Sequence, residues 1–152
     1  MTSLKQLSSI LKSVQKPGRY IGGEMHSIVK DKSEVSLRFG LCFPDVYEIG
    51  MSNLGIRILY HVLNKMPEVW CERVYTPWPD MQARMREAGI PLSAHESGDP
   101  VRDFDILGFT LQYELCYTNV LASLCLRRCL LHPLVRFGCL SAAVGGTHRA
   151  GR

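Results

Sequence analysis

Long apolar runs are missing from this 152-residue chain. None approaches the roughly 18 consecutive apolar residues that a membrane span requires. Met1 to Gln15 has no apolar block of the signal-peptide kind. These two absences set the expectation of a cytoplasmic protein, in a reducing compartment and with no membrane partner. The six cysteines, Cys42, Cys71, Cys116, Cys125, Cys129 and Cys139, are then expected as thiols, several of them buried, rather than as disulfides. There is no Gly-x-Ser-x-Gly elbow to support a serine hydrolase and no phosphate loop to support a nucleotide hydrolase. His26, His61 and His95 are scattered, without metal-site spacing.

Acidic residues are absent after Glu114. Residues 1–123 hold 13 Lys/Arg against 14 Asp/Glu, a net of −1, whereas residues 124–152 hold 5 Arg and no acid, a net of +5. A basic tail raises a nucleic-acid reading. Here the arginines are scattered and lack interleaved aromatic stacking positions, so nucleic acid is not the expected partner. The tail also shows no clear helical face between Cys125 and Pro133, and it ends in Gly-Gly-Thr-His-Arg-Ala-Gly-Arg. Arg-rich, acid-free, Cys-rich text is typical of out-of-frame translation. The native reading frame is therefore expected to be lost near residues 123–126.

What is present is a clear alternation of element types. Leu4, Leu7, Leu11 and Val14 share one face of a first helix, with Ser3 placed to cap it. Ile28 to Lys30 and Val35 to Phe43 read as two strands joined by Asp31-Lys32-Ser33. From Met51 the period changes: Leu54, Ile58 and Val62 lie four apart, as do Met51, Gly55, Leu59 and Leu63, which predicts a helix with a broad apolar face. Val69 to Tyr75 suits a second core strand. A short helix from Met81 to Ala88 ends at Gly89, Pro91 to Ser93 offers a short strand, and Phe104 to Leu111 is a third strong strand. Leu115 to Leu126 is the last helix. Strands alternating with helices imply a parallel sheet with right-handed crossovers. The predicted fold is α/β, Rossmann-like, preceded by a helix and a short strand pair. Residues 1–34 form a leading segment, 35–126 the Rossmann-like domain and 127–152 a basic tail of doubtful structure.

The loop after the first strong strand is the most informative stretch. A doubly wound domain binds ligands at such strand ends. Asp45-x-Tyr47-x-x-Gly50 resembles the Asp-x-His-x-x-Gly signature of cobalamin-binding domains, with Tyr in place of His. Further blocks extend the likeness: Lys16-Pro-Gly-Arg-Tyr-Ile-Gly-Gly-Glu24, Phe43 to Gly55, Pro77-Trp-Pro-Asp-Met81, and Asp103 to Asn119. Together they resemble the N-terminal, cobalamin-binding-like region of a family of radical S-adenosylmethionine (SAM) proteins. The likeness spans roughly residues 16 to 123.

In that family the chain continues into a barrel-like catalytic domain. There a Cys-x-x-x-Cys-x-x-Cys motif holds a 4Fe–4S cluster beside S-adenosylmethionine. This chain has no such motif. Cys125-x-x-x-Cys129 is followed by His132 and is read as a chance match. The resemblance thus implies an accessory domain whose partner is the missing catalytic domain, and which is itself inactive.

It also implies cobalamin as a cofactor, with Asp45, Tyr47, Gly50, Ser52, Asn53, Gly55, Thr110 and Gln112 as candidate contacts. In cobalamin domains the Asp orients the cobalt-ligating His. Tyr47 is a poor cobalt ligand, because its phenol is neutral at pH 7. It is expected instead to shield the ring or hydrogen-bond beneath it. Thr110 would contact the nucleotide tail, with Gln112 standing where such domains have Leu.

The bland alternative has equal standing. Asp45 and Ser52 would cap the helix near Met51, and Gly50 and Gly55 would allow a tight turn. The module would then be a vestigial Rossmann-like interaction domain that binds no cobalamin. Tyr113, Glu114, Tyr117 and Asn119 either face a ligand or close the core edge, and Trp78 is a docking anchor or a lid. Resequencing the coding DNA across codons 123–126 in an independent isolate checks the frame. An identical tail there overturns the frameshift.

Overall fold

The computed structural model describes residues 2–126 and 136–140, with side chains from Leu7 to Leu126. The three apolar runs form parallel strands β1 (Leu37–Phe43), β2 (Val69–Tyr75) and β3 (Ile106–Thr110). A fourth strand, β4 (Arg136–Leu140), runs parallel to β3, from Ile106 opposite Arg136 to Thr110 opposite Leu140. It lies in the segment to which the sequence pattern assigned no element; the rest of that segment lies outside the described residues. The sheet order is β2-β1-β3-β4. This is an α/β, Rossmann-like fold, as the alternation of elements predicts.

Among the described residues five α-helices accompany the strands, α1 (Thr2–Leu11), α2 (Tyr47–Ser52), α3 (Leu54–Asn64), α4 (Pro79–Ala88) and α5 (Cys116–Leu126), with 3-10 turns at Pro17–Tyr20 and Val101–Asp103. Alternation along each strand divides the core between two faces. Leu41, Phe43, Cys71 and Tyr75 pack under Ile56 and Tyr60 of α3. On the other face Cys42, Val74, Leu107 and Phe109 pack with Leu7 of α1, Met81 and Met85 of α4, and Leu126 of α5. Helices therefore cover both faces, as doubly wound sheets require.

Three expectations are corrected. The strand at Ile28 to Lys30 does not form. That stretch is extended chain held by side chains: Ile28 N–H donates to the Tyr60 hydroxyl at 2.7 Å, Trp70 Nε1 donates to the Ile28 carbonyl at 3.0 Å, and Lys30 Nζ donates to the carbonyls of Met66 and Val69. Pro91 to Ser93 makes only an isolated antiparallel bridge, Ser93 with Pro100. The helix predicted from Met51 divides into α2 and α3, and Asn53 caps the second by accepting from Ile56 N–H at 3.1 Å. The thiols of Cys71 and Cys116 are buried and that of Cys125 is exposed.

β2 is an edge strand, and its outward backbone groups are covered by side chains and by one loop. Asn64 Oδ1 accepts from Cys71 N–H at 3.0 Å, and Asn64 Nδ2 donates to the Cys71 carbonyl at 2.9 Å. Glu96 accepts from Arg73 N–H at 2.7 Å, and His95 N–H donates to the Arg73 carbonyl at 2.9 Å. The same loop carries Ser97, whose N–H donates to Glu72 at 3.0 Å, and Asp99, which pairs with Arg38 at 2.9 Å. Arg38 also pairs with the fully buried Glu72 carboxylate.

Replacing Asn64 by Leu strips two buried backbone groups of their partners. Each orphaned group costs about 1–3 kcal/mol, so Asn64→Leu should lower unfolding stability in urea by about 2–4 kcal/mol. His61→Ala, on the exposed side of α3, should stay within about 0.5 kcal/mol of the parent.

Candidate functional site

The order β2-β1-β3-β4 places the topological switch point between β1 and β3. A ligand crevice is expected outside their carboxyl ends, between the loops that follow them. The chain's own side chains bridge those loops. Asp45 Oδ2 accepts from the Tyr113 hydroxyl at 3.0 Å, while its Oδ1 accepts from Val46 N–H at 2.7 Å. Asn119 Nδ2 donates to the Pro44 carbonyl at 3.0 Å, and the hydroxyls of Thr76 and Ser123 meet at 3.0 Å. The hydrogen bond to Asp45 pushes the Tyr113 phenol up to about 12. Thr110 ends β3 beside this bridge. It is buried, and its Oγ1 has no partner among the described residues. Gln112 is exposed beyond it, as are Glu114 and Tyr117.

Tyr47 belongs to a different neighbourhood. It opens α2 and packs toward the end of β2. Its ring lies 5.2 Å from that of His95 and meets Tyr75 edge-on at 5.6 Å, and Tyr75 meets His95 edge-on at 5.5 Å. Glu24 lies beside Tyr47, pairs closely with His95 Nε2, and lies 3.5 Å from Arg73. Arg73 is in turn anchored by Glu96, whose side chain is fully buried. Burial, followed by the neighbouring Glu24 carboxylate, pushes the Tyr47 phenol up, so the neutral form persists. Burial also pushes the Glu24 carboxyl up. The hydrogen bond and charge of His95 outweigh that effect and hold it below its usual range.

The glycines of this region answer to packing. Gly50 sits against Tyr75, where an added Cβ would lie 2.3 Å from the ring. Gly22, at φ +75, passes the His95 carbonyl so closely that a Cβ would lie 2.5 Å from its oxygen. That contact docks the 16–24 loop onto the loop beside β2.

The cap assignments are corrected too. Ser52 is exposed and its Oγ donates to the Ile49 carbonyl at 2.9 Å, so Asn53, not Ser52, caps α3. The N-cap position of α2 is Val46, with no side-chain cap, so Asp45 does not serve there. Gly55 is exposed, with the Asn53 cap oxygen 3.2 Å from where its Cβ would be. Between Tyr47, His95, Tyr20 and Trp78 lies a cavity of about 50 Å³. Trp78 lines this cavity, Arg19 stacks over its ring at 5.3 Å, and Arg19 pairs with Glu48 at 2.8 Å.

The structure thus separates the two ends of the Asp-x-Tyr-x-x-Gly motif. Asp45 turns to Tyr113 of the β3 loop. Tyr47 turns to Glu24, His95 and Tyr75. The carboxylate that serves Tyr47 is Glu24, not Asp45. Periodicity passed over Glu24, Arg73, Glu96 and His95, although Glu72-Arg73 inside an apolar strand was a signal, because charges buried there need partners.

Tested against cobalamin, the Asp-x-Tyr-x-x-Gly motif offers a phenol where such domains offer an imidazole to cobalt. The motif Tyr is neutral and already engaged, and the cavity beside it holds a few waters at most. Among the described residues, the orphaned Thr110 hydroxyl suits a polar group of a nucleotide tail. Among the described residues, no helix is long and apolar enough to cross a membrane.

Residues 55–138 match the family described as radical SAM proteins, N-terminal. No curated protein and no solved structure gives a significant match. The matched segment contains the blocks at Pro77 to Met81 and Asp103 to Asn119, together with Thr110 and Gln112. It runs past Leu124 through most of β4. The Lys16 to Glu24 block and nearly all of Phe43 to Gly55 precede it.

Glu24 gives this cluster a definite pH dependence. Its carboxyl is held low in the folded chain, so its contribution to stability is complete above the ordinary carboxylate range and is lost as pH falls through the lower, folded value. Glu24→Gln should therefore be less stable than the parent at neutral pH. The gap should close below about pH 4 when urea melts are compared across pH.

Proposed function

The chain belongs to the N-terminal family of radical SAM proteins, and on that premise we propose that it works as the accessory interaction domain of such a protein, without ligating cobalt. Membership implies a 4Fe–4S cluster and S-adenosylmethionine for the whole proteins of the family, and a catalytic domain in its longer members. The cluster, when bound, supplies an electron to S-adenosylmethionine. The sequence here has no Cys-x-x-x-Cys-x-x-Cys motif, so that chemistry belongs to the other domain.

The observation that carries this reading is the bridge across the switch-point crevice. The hydrogen bond from Tyr113 to Asp45 and the bond from Asn119 to Pro44 fill the position where doubly wound domains receive a ligand. Beyond the bridge, Leu115 just before α5 and Tyr117 and Leu121 along it stand exposed. An apolar surface at a crevice whose interior is already occupied suits contact with another domain better than capture of a small molecule.

A second reading has one observation in its favour, the partnerless Thr110 hydroxyl. In that reading cobalamin binds with its nucleotide tail at the end of β3, near Asp45 and Gln112, and Tyr47 takes no part in ligation. A visible-spectrum titration of hydroxocobalamin with the full chain separates the two. The interaction-domain reading expects an unchanged spectrum at saturating protein. A saturable change to the base-off spectrum, lost in Thr110→Val, would overturn it.

A further inference from the structure

Helix α3 carries two apolar stripes, and the sheet uses only one. Ile56, Tyr60 and Asn64 are buried against the strands, with Leu59 and Leu63 partly buried beside them. Leu54, Ile58 and Val62 lie two residues out of step with that set, about 200° around the helix. They are 67%, 52% and 53% exposed. The sequence pattern alone assigned them to a core face, and the structure corrects this. Beside them rises the chain at Met25 to Ile28, with Met25 itself 85% exposed. The two walls enclose an open groove of about 1040 Å³.

The charge around this groove has one sign. Arg57 and Lys65, with His61 between them, border the apolar stripe of α3, and among the described residues no carboxylate lines the groove. Arg57 and Lys65 have no ion-pair partner among the described residues. The nearby Arg73 is already satisfied by Glu96 and Glu24.

We propose that this groove seats an amphipathic helix from another polypeptide, apolar face inward and carboxylates along its edge. Leu54 to Val62 spans about 12 Å, or a little over two helical turns. That is the length over which apolar anchors at helical spacing engage a groove. The row of unpaired cations selects an acidic edge. A second copy of this chain is a poor occupant, because an α3–α3 contact about a two-fold axis would set the same cations against each other. A bilayer is also a poor fit, because the surface is concave while interfacial helices present a convex apolar face.

The test uses the full chain and two labelled synthetic helical peptides with identical leucine faces, one edged with glutamates and one with lysines. Fluorescence anisotropy should show saturable binding of the glutamate peptide. Ile58→Asp should weaken it about tenfold or more. The double variant Arg57→Glu, Lys65→Glu should reverse the preference toward the lysine peptide. These positions are exposed, and an unchanged thermal melt of each variant shows that the fold survives.

Absence of binding, or equal binding of the two peptides, overturns the proposal. So does dimerisation in sedimentation that Ile58→Asp abolishes, or co-sedimentation with phosphatidylserine vesicles in place of peptide binding. None of these outcomes bears on the cobalamin titration, since the groove and the switch-point crevice share no residue.

Discussion

Much of this fold depends on covering the outer edge of β2. A parallel sheet leaves unpaired N–H and C=O groups along its outermost strands, and an exposed edge invites wrong pairing. Here the groups on Val69, Cys71 and Arg73 are met by Lys30, Asn64, His95 and Glu96. These residues come from three separate stretches of chain. The edge strand therefore organises the leading segment, the end of α3 and the loop before β3 together. The close passage of Gly22 over the His95 carbonyl belongs to the same arrangement.

The charges follow from that wrapping. Adjacent residues of a strand face opposite ways, so Glu72 and Arg73 point to the two sides of the sheet. The 95–99 loop rounds the edge and reaches both. Glu96 meets Arg73 on the α3 side, while Ser97 and Asp99 meet Glu72 and Arg38 on the other. Removing charges from water is expensive, and a buried ion pair is often no better than apolar packing for stability. What these pairs provide is location, since a loop with few apolar side chains is pinned to one place on the strand.

The sheet itself was legible in the sequence because its signal is local. Apolar runs bounded by Pro and Gly marked β1, β2 and β3, and the change of period after Phe43 marked a helix. Less was legible where meaning depends on what lies opposite. The repeat of α3 offers two stripes of equal quality, and only the sheet decides between Ile56-Tyr60-Asn64 and Leu54-Ile58-Val62. Ile28 and Val29 read as strand by their branching, yet the chain there serves as a hydrogen-bonding strap. The Asp45 to Gly50 motif has the spacing of a cofactor site, but spacing says nothing of direction, and Asp45 and Tyr47 turn to different neighbours. Glu24 and His95, 71 residues apart, meet only in the folded chain.

The closure of β2 gives the sheet a polarity in assembly. A strand arriving from any partner would have to displace Asn64, Lys30 and the His95–Glu96 loop before it found a single backbone group to bind. Lateral recruitment by backbone pairing is thus blocked at this margin. Like a fibre capped at one terminus, the sheet offers no growth point at this flank, and a domain that associates there must do so through side chains.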